Sequence, residues 1–460
     1  MLRRSFTRPM SIALGAGTAL SAFGVATPAG ATVDCGAGVT VDATEAAIRA
    51  AITAEETLIC VNPGTIDMST TGVDASAEPF VVLGADLTLI ALGEVVFDGN
   101  GEAANAIVSH GSSDQNLSVD GFTFSDFHTI DENDPAIVSL LGSTGQLTVL
   151  NSTFTDNVGY SAVMGWVEGG RSPSVVVDKS VFENNIEVSV QIWGKSDVGV
   201  TDSTFSNNSI GSQIWVDYWA DDPLVLIAGN YFGNNSSENY VAFVANSDGT
   251  ALIANNTFAN NSNSDPSEAV VLEFEGNQDP IIAFNTFVNN TSVGGDPGDI
   301  MIEYNTDATL LGNIWISDAA VSLGKYDDTD TTAHYIDAGG NFSTTNESAY
   351  LDDPSSSSNV AESALDLSAP ADNGGPTWTA ALGAGSVAID AVSPSVAADV
   401  LGQSFDVDQR GDDRVGNIDA GAFEFGELAA TGVDATGIAL TGGVLGAAGV
   451  ALVARRRRKA

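Results

Sequence analysis

Basic residues are scarce in this 460-residue chain, where 15 Lys and Arg stand against 60 Asp and Glu. Eight of the fifteen lie at the two ends: Arg3, Arg4 and Arg8 at the start, Arg455 to Lys459 at the finish. Between Thr32 and Thr431 seven remain against 59 acids, a formal net charge of −52. Such a field repels nucleic acid and anionic membrane surfaces, so neither is expected as a partner. It favours hard cations, and Ca²⁺ is the one cofactor the composition suggests. Asp327, Asp328 and Asp330, or Asp406, Asp408, Asp412 and Asp413, offer oxygen ligands, but without a full EF-hand spacing; solvated turn carboxylates are the plainer reading. Histidine is nearly absent too, and His110 and His128 stand isolated, with no Ser arranged for a triad. Two cysteines, Cys35 and Cys60, form an even, isolated pair, which in an exported chain reads as a disulfide worth on the order of 3 kcal/mol.

What is abundant is a repeat. Phe97, Phe124, Phe154, Phe182, Phe205, Phe232, Phe258 and Phe287 recur at intervals of 23 to 30 residues, and Trp315 takes the next slot. Five residues before each stands an aliphatic residue: Leu92, Val119, Val149, Val177, Val200, Ile227, Ile253, Ile282 and Leu310. Three residues after it stands Asn100, Asn157, Asn185, Asn208, Asn235, Asn261 or Asn290, with Phe127 and Asp318 as the exceptions. Alternating pairs such as Val175 and Val177 or Val198 and Val200 are half-buried strands. The Asn falls at a corner, where its short side chain tolerates left-handed backbone geometry. Coils stacked at roughly 4.8 Å place these amides above one another as a hydrogen-bonded ladder and the rings as a filled interior. The period suits a solenoid coil, and the Gly-, Asn- and Val-rich coils hold none of the amphipathic helices that a TPR, HEAT or ankyrin array needs. The expected fold is all-β, a parallel β-helix over residues 67–345. Asp42, Thr44 and Glu45 read as a helix start ahead of Ile48, Ala51 and Ile52, a short capping helix within an N-terminal cap spanning 32–66.

The long apolar runs sit at the ends. Arg3, Arg4 and Arg8, the stretch from Ile12 to Val25, and Ala29-Gly30-Ala31 make residues 1–31 an export signal, Sec or twin-arginine. At the other end Leu428-Ala429-Ala430-Thr431-Gly432 precedes an apolar run from Ile438 to Ala454 and the basic tail. Some seventeen apolar residues suffice to cross a bilayer, with the cations held on the cytoplasmic side. This order, over residues 427–460, resembles the L-A-x-T-G sorting signals of actinobacterial surface proteins. The resemblance implies a sortase that attacks the Thr431 carbonyl and passes the chain to peptidoglycan. Membrane contact would then be confined to the C-terminal segment before sorting, and the destination is the extracellular cell wall. A plain single-pass anchor is the alternative.

After Phe342 the register dissolves, and Ser355 to Ser358 read as part of a linker over 346–370. Four segments follow in order: Asp372-Asn373-Gly374-Gly375-Pro376-Thr377, Gly385-Ser386-Val387-Ala388-Ile389-Asp390, Asp408-Gln409-Arg410-Gly411 and Ile418-Asp419-Ala420-Gly421-Ala422-Phe423-Glu424. Together, across 371–426, they resemble the choice-of-anchor Q domain of bacterial β-helix surface proteins, with Val387 in place of the usual Pro and Ala420 in place of the usual Gly. The coils resemble right-handed parallel β-helix repeat proteins of the pectate-lyase-like kind. The module carries no catalytic residue by that resemblance, and Arg410 and Arg414 read as ion pairs closing the C-terminal end of the helix.

Many β-helices cleave acidic polysaccharides, so a polysaccharide lyase or glycoside hydrolase is the alternative to a binding protein. A pectate-lyase-like site needs Ca²⁺ carboxylates and a basic residue, and the coils offer only Arg171, Lys179, Lys195 and Lys325, none paired on neighbouring coils. Asn305-Thr306-Asp307 and Asp327-Asp328 echo a polygalacturonase-like site, but His334 lacks flanking glycines and no basic residue follows closely. Aromatic residues give the better lead. Gln191-Ile192-Trp193 and Gln213-Ile214-Trp215 read as equivalent segments whose Gln and Trp side chains face out, beside Asp217, Tyr218 and Trp219. Exposed indoles near amides and carboxylates suit the faces of sugars. The expectation is a non-catalytic adhesion or glycan-binding rod, with a glycan or other surface ligand as partner.

Overall fold

The structure, a computed structural model, describes residues 35–426 apart from 69–79, 84, 112–113, 129–135, 160, 167–172, 187–189, 194–196, 210–212, 218–223, 238–241, 245–249, 265–270, 275–278, 293–297, 318–320 and 327–330. Residues 1–31 and 427–460, read from the sequence as an export signal and a sorting signal, lie outside the described residues. The chain winds into the expected parallel β-helix, each strand paired with its counterpart one coil on. A coil has three strand ranks. Rank A holds strands such as Ser174–Asp178, Val198–Thr201 and Leu224–Ala228. Rank B holds Val181–Glu183, Thr204–Ser206 and Tyr231–Gly233. Rank C holds Val163–Trp166, Val190–Trp193 and Ile214–Asp217. Ranks A and B share one sheet, and rank C forms a second.

The corners are made by left-handed residues. Between ranks A and B stand Asn151, Lys179, Asp202, Gly229, Asn255, Phe284 and Gly312, all at positive φ. After rank B stand the exposed Asp156, Asn184, Asn207, Asn234, Asn260 and Asn289, again at positive φ. Asn and Asp accept this geometry because a short polar side chain offsets its steric cost. Each exposed corner residue is followed by a buried Asn. Asn157, Asn185, Asn208, Asn235, Asn261 and Asn290 form one ladder, each donating its amide to the next at 2.9–3.0 Å. The same amides also donate to backbone carbonyls of the preceding coil, as Asn208 does to Phe182 at 3.0 Å. A second ladder begins with Ser152, Ser180 and Ser203 and continues through Asn230, Asn256, Asn285, Asn313 and Asn341. Every amide buried in these ladders has a partner, which is what makes its burial tolerable.

Inside, the Phe rings from Phe97 to Phe287 stack with centroids 4.7–5.2 Å apart, and Trp315 follows at 5.7 Å. Rank A contributes Val175, Val177, Val198, Val200 and Ile227 to the same core. Two features of the first coils depart from the sequence pattern. A register shift between Ile90 and Val95 puts Leu89, not Leu92, opposite Val119. Asn100 is exposed, and the Phe127 N–H opens the ladder by donating to Asn157 at 2.9 Å.

At the N-terminal end the helix Glu45–Thr53 is capped by Thr44, whose hydroxyl accepts from the Ala47 N–H, and buries Ile48 and Ala51 against the first coil. The Cys35–Cys60 disulfide ties the preceding chain to the strand Leu58–Val61. At the other end, residues 346–370 do not run as a free linker. The Ser357 N–H donates to the Asn341 carbonyl, that of Val360 to Ser343, and the Ser356 hydroxyl to Asp337. This segment lies on the last coil as a further partial rung, and Tyr350 and Leu351 close the core. The Ser356 hydroxyl donates to Asp337, and the Ser355 and Ser356 hydroxyls accept from the Gly340 and Asn341 N–H groups of the coil, so a run that resembles a flexible linker by composition is ordered by hydrogen bonding.

Candidate functional site

Rank C carries the aromatic candidates. Ile214 and Val216 are buried and pair with Val190 and Ile192, so the inward alternation is as expected. The register is not. Gln191 stands opposite Trp215, and Trp193 opposite Asp217, so the two Gln-Ile-Trp segments are offset by two residues. Gln191 stands nine residues after Phe182 but Gln213 only eight after Phe205, and the corner to Ile214 takes nine positions where that to Val190 takes eight; the two single-residue differences add to the offset. The indole in register with Trp193 is Trp166 on the preceding coil. Trp166 and Trp215 are both partly exposed, whereas Gln213, expected outside, is buried. The sequence signal for Trp166 was its placement in Val163-Met164-Gly165-Trp166, with Val163 inward and Trp166 three positions on. Tyr218 and Trp219 lie outside the described residues.

A polar column runs along the start of rank A. Asp86 accepts from the Asn116 N–H at 2.8 Å, Asn116 from Gln146 at 3.0 Å, and Asp197 from Leu224 at 2.9 Å. Asp307 and His334 continue it one coil apart, with His334 Nδ1 2.9 Å from Asp307 Oδ1 and both side chains about half exposed. The earlier members each accept a backbone N–H at the start of the next strand, whereas Asp307 meets the His334 side chain as a surface acid–imidazole pair. The partner suggested by the sequence, Asp327-Asp328, lies outside the described residues.

At the corner between ranks A and B, Lys179 reaches Asp178 at 3.1 Å and Asp202 at 3.9 Å. Burial pushes the Asp202 carboxyl up to about 7, and the Asp178 charge adds to it while Lys179 opposes it. Asp178 is raised as well, by burial first, with the Thr201 hydroxyl at 2.8 Å pulling the other way. Among the described residues no group of three or more His, Cys, Asp or Glu is arranged to hold a metal ion. No helix among them is long and apolar enough to cross a membrane.

Residues 135–315 match the family described as right handed beta helix region. The coil is thus a right-handed parallel β-helix. No curated protein matches the chain. Among solved structures it is similar to the pectate lyase Pel9A, with 13% identity over 82% of this chain and 90% of that one and a TM-score of 0.35. It is similar to the PL6 family alginate lyase AlyGC, with 12% identity over 70% of this chain and a TM-score of 0.32, and it spans 52% of that enzyme's length. The A-module of the Azotobacter vinelandii mannuronan C-5 epimerase AlgE4 gives 11% identity over 69% and 92% of the two chains, with a TM-score of 0.29.

The four C-terminal motifs have a definite place on this right-handed helix, and it is the flank, not the end. The Thr377 hydroxyl donates to the Gly229 carbonyl at 2.7 Å, and the Gln409 amide to Asn230 at 3.1 Å. The Thr257 hydroxyl donates to Gln409 at 2.6 Å, the Ala422 N–H to Thr286 at 2.9 Å, and the Gly421 N–H to Gly312 at 2.7 Å. Gly421 has φ +85°, and a Cβ there would meet Thr286 Oγ1 at 2.7 Å, so the approach needs glycine. Val392, Ala397, Leu401, Phe405 and Ile418 cover Leu226, Leu252, Ala254, Phe284 and Leu311, which face outward from rank A and its corner. Arg410 pairs with Asp408 at 2.7 Å and lies over the Phe423 ring at 3.8 Å. Asp408 and Asp412, of the cluster expected as turn carboxylates, therefore anchor Arg410, while Arg414 pairs with Glu424. The continuous apolar runs Leu224-Val225-Leu226-Ile227 and Ile281-Ile282-Ala283-Phe284 were the sequence signal for this cover, since a strand buried on both faces loses its alternation.

Proposed function

We propose that this is an exported surface protein whose acidic β-helical rod is linked through its C-terminus to peptidoglycan and binds a glycan or other surface ligand on rank C. The supporting order is an export signal, the coils, a choice-of-anchor Q-like module, and the Leu428 to Gly432 sorting signal ahead of an apolar run and basic tail. The module covers ranks A and B of the later coils, which leaves rank C as the remaining flank. The observation that carries the binding reading is Trp166, partly exposed and in register with Trp193, with Gln191, Trp215 and Asp217 on the adjoining positions. Planar rings on a rigid scaffold bind sugar faces at little ordering cost.

Two experiments test it. A glycan array probed with the protein should register binding that Trp166→Ala combined with Trp193→Ala weakens at unchanged melting temperature; a lowered melting temperature with binding retained sinks the assignment. Replacing Thr431 should abolish muramidase-releasable, wall-linked protein. Complete detergent extraction of the unaltered protein supports a single-pass anchor instead. A polysaccharide lyase or hydrolase is the second reading, favoured by the surface pair Asp307 and His334, and release of reducing or unsaturated sugar ends would support it.

A further inference from the structure

Near the C-terminal end of the coil two carboxyl groups are shut inside the protein. Asp299 directly precedes the rank C strand Ile300–Ile302, and Glu347 belongs to the segment that closes the last coil; they are 1% and 0% exposed. They meet at Ser322, whose N–H donates to Glu347 Oε1 at 2.6 Å and whose side chain hydrogen-bonds Asp299. Asn290 delivers the last amide of the first ladder to Asp299 Oδ1 at 2.9 Å, and the Thr345 hydroxyl donates to Glu347 Oε1 at 2.7 Å. Each acid keeps a second buried oxygen, Asp299 Oδ2 and Glu347 Oε2, to which nothing among the described residues donates. A buried carboxylate oxygen left in that condition is costly, and a proton removes the cost.

We propose that Asp299 and Glu347 hold one proton between them and form a proton-dependent latch joining the closing segment to the final coils. The titratable groups around the pair do not replace that proton with a cation. Tyr335 spans the interior to donate to the Ile300 and Gly324 carbonyls, Tyr350 packs against its ring, and Glu273 adds a further acid. What lowers either acid is hydrogen bonding, from Asn290 and Ser322 on one side and from Ser322, Thr345 and Leu323 on the other. Burial raises both, the Glu347 charge raises Asp299 further, and Asp299 reaches about 7. Two acids so placed titrate as a pair.

The sign follows from linkage. The closed state keeps a proton that an opened, hydrated carboxyl has lost between its ordinary range near 4 and about 7. The latch is therefore firmest in mild acid, weakens as pH rises through that window, and changes no further above it. One proton released on opening makes the opening constant grow about tenfold per pH unit there.

Hydrogen exchange on the full mature protein tests this through the N–H groups of Ser343, Ser357, Asn359 and Val360, which pin the segment. After correction for intrinsic exchange, their opening should increase about tenfold per unit from pH 5 to 7 and level off by pH 8. Asp299→Asn keeps an acceptor for Asn290 and removes the acid that reaches about 7, so its opening should lose its slope above pH 6. Should Asp299→Asn fail to fold, Glu347→Gln leaves Asp299 raised by burial but without the Glu347 charge, so its window should close at a lower pH than in the unaltered protein. Infrared spectra at pH 6 should also contain protonated-carboxyl intensity, to which Asp202 contributes, and Asp299→Asn should lose part of it. A flat profile in the unaltered protein, the same slope in the variant, or no loss of that intensity in Asp299→Asn would each overturn the latch.

Discussion

Arg414 donates to the side-chain oxygen of Asn255 at 2.8 Å, joining residues 159 positions apart. Asn255 is a left-handed corner residue of the coil, and the Arg414 side chain is fully buried against the rings of Phe284 and Phe405. The guanidinium also donates to the carbonyls of Val407, Asp419 and Gly421 and pairs with Glu424 at 3.1 Å. Burial alone would lower its pKa; Glu424, Asp408 and Asp419 resist that. Phe284 is itself left-handed, which is unfavourable for a bulky residue, and its ring stacks on Phe405 at 4.5 Å. The module thus holds in place a corner that the coil alone disfavours.

Arg414→Met should detach this module. It leaves the Glu424 carboxylate buried without its cation, a loss on the order of 3–5 kcal/mol. Limited proteolysis should then cut within 371–426 while the coils stay intact. Continued protection of the module with an unchanged melting temperature would count against the docking role.

Asp202 makes stability depend on pH. Its folded pKa, about 7, lies above the ordinary carboxyl value, so the folded state binds a proton that the unfolded state has lost between about 4 and 7. Stability from this site is full below that window and declines as pH rises through it. Asp202→Asn should flatten that decline and be the more stable form at pH 8. Lys179→Met, by removing the opposing charge, should steepen it. Thermal melts across pH 4 to 8 decide the matter, and a parallel decline in all three proteins would refute the assignment.

The fold was legible because a solenoid repeats its physics. Eight Phe and Trp315, with an Asn three residues on in seven of the nine coils, specify interior and spacing without any long-range information, although from Asn157 on the left-handed corner falls one residue before that Asn. Register on rank C was not legible, because it depends on how many residues each corner spends: one extra residue between Phe205 and Ile214, added to the one-residue difference in where each Gln-Ile-Trp begins, puts Trp215 two places from Trp193. Ser355 to Ser358 misled for a related reason: composition records flexibility in isolation, but Asp337 and the last coil supply partners. The flank cover was written in outward apolar residues such as Leu226 and Leu252, hidden because the eye follows the inward set. Asp299 and Glu347 left no sequence mark at all, since nothing local identifies a carboxyl that folding will bury.

The first ladder has a direction, and that direction is testable. Asn208 Oδ1 accepts from both the N–H and the amide of Asn185, while its own amide donates to the Phe182 carbonyl and to Asn235 Oδ1, each at 3.0 Å. Asn208→Ala strands those four partners, and orphaned buried polar groups cost about 1–3 kcal/mol apiece before relaxation. Asn208→Asp is nearly isosteric and keeps both acceptor roles, but it turns two donated hydrogen bonds into contacts between oxygens. Ionised, it should therefore be at least as damaging as the alanine. A protonated carboxyl recovers one donor, so burial should raise its pKa and the variant should regain stability as pH falls, a behaviour the alanine lacks. Melting temperatures of the two variants should diverge in acid, with the Asn208→Asp protein ahead by an amount absent at pH 8. Identical pH profiles would mean that the column is held by ring stacking and backbone pairing, with the amides as filler.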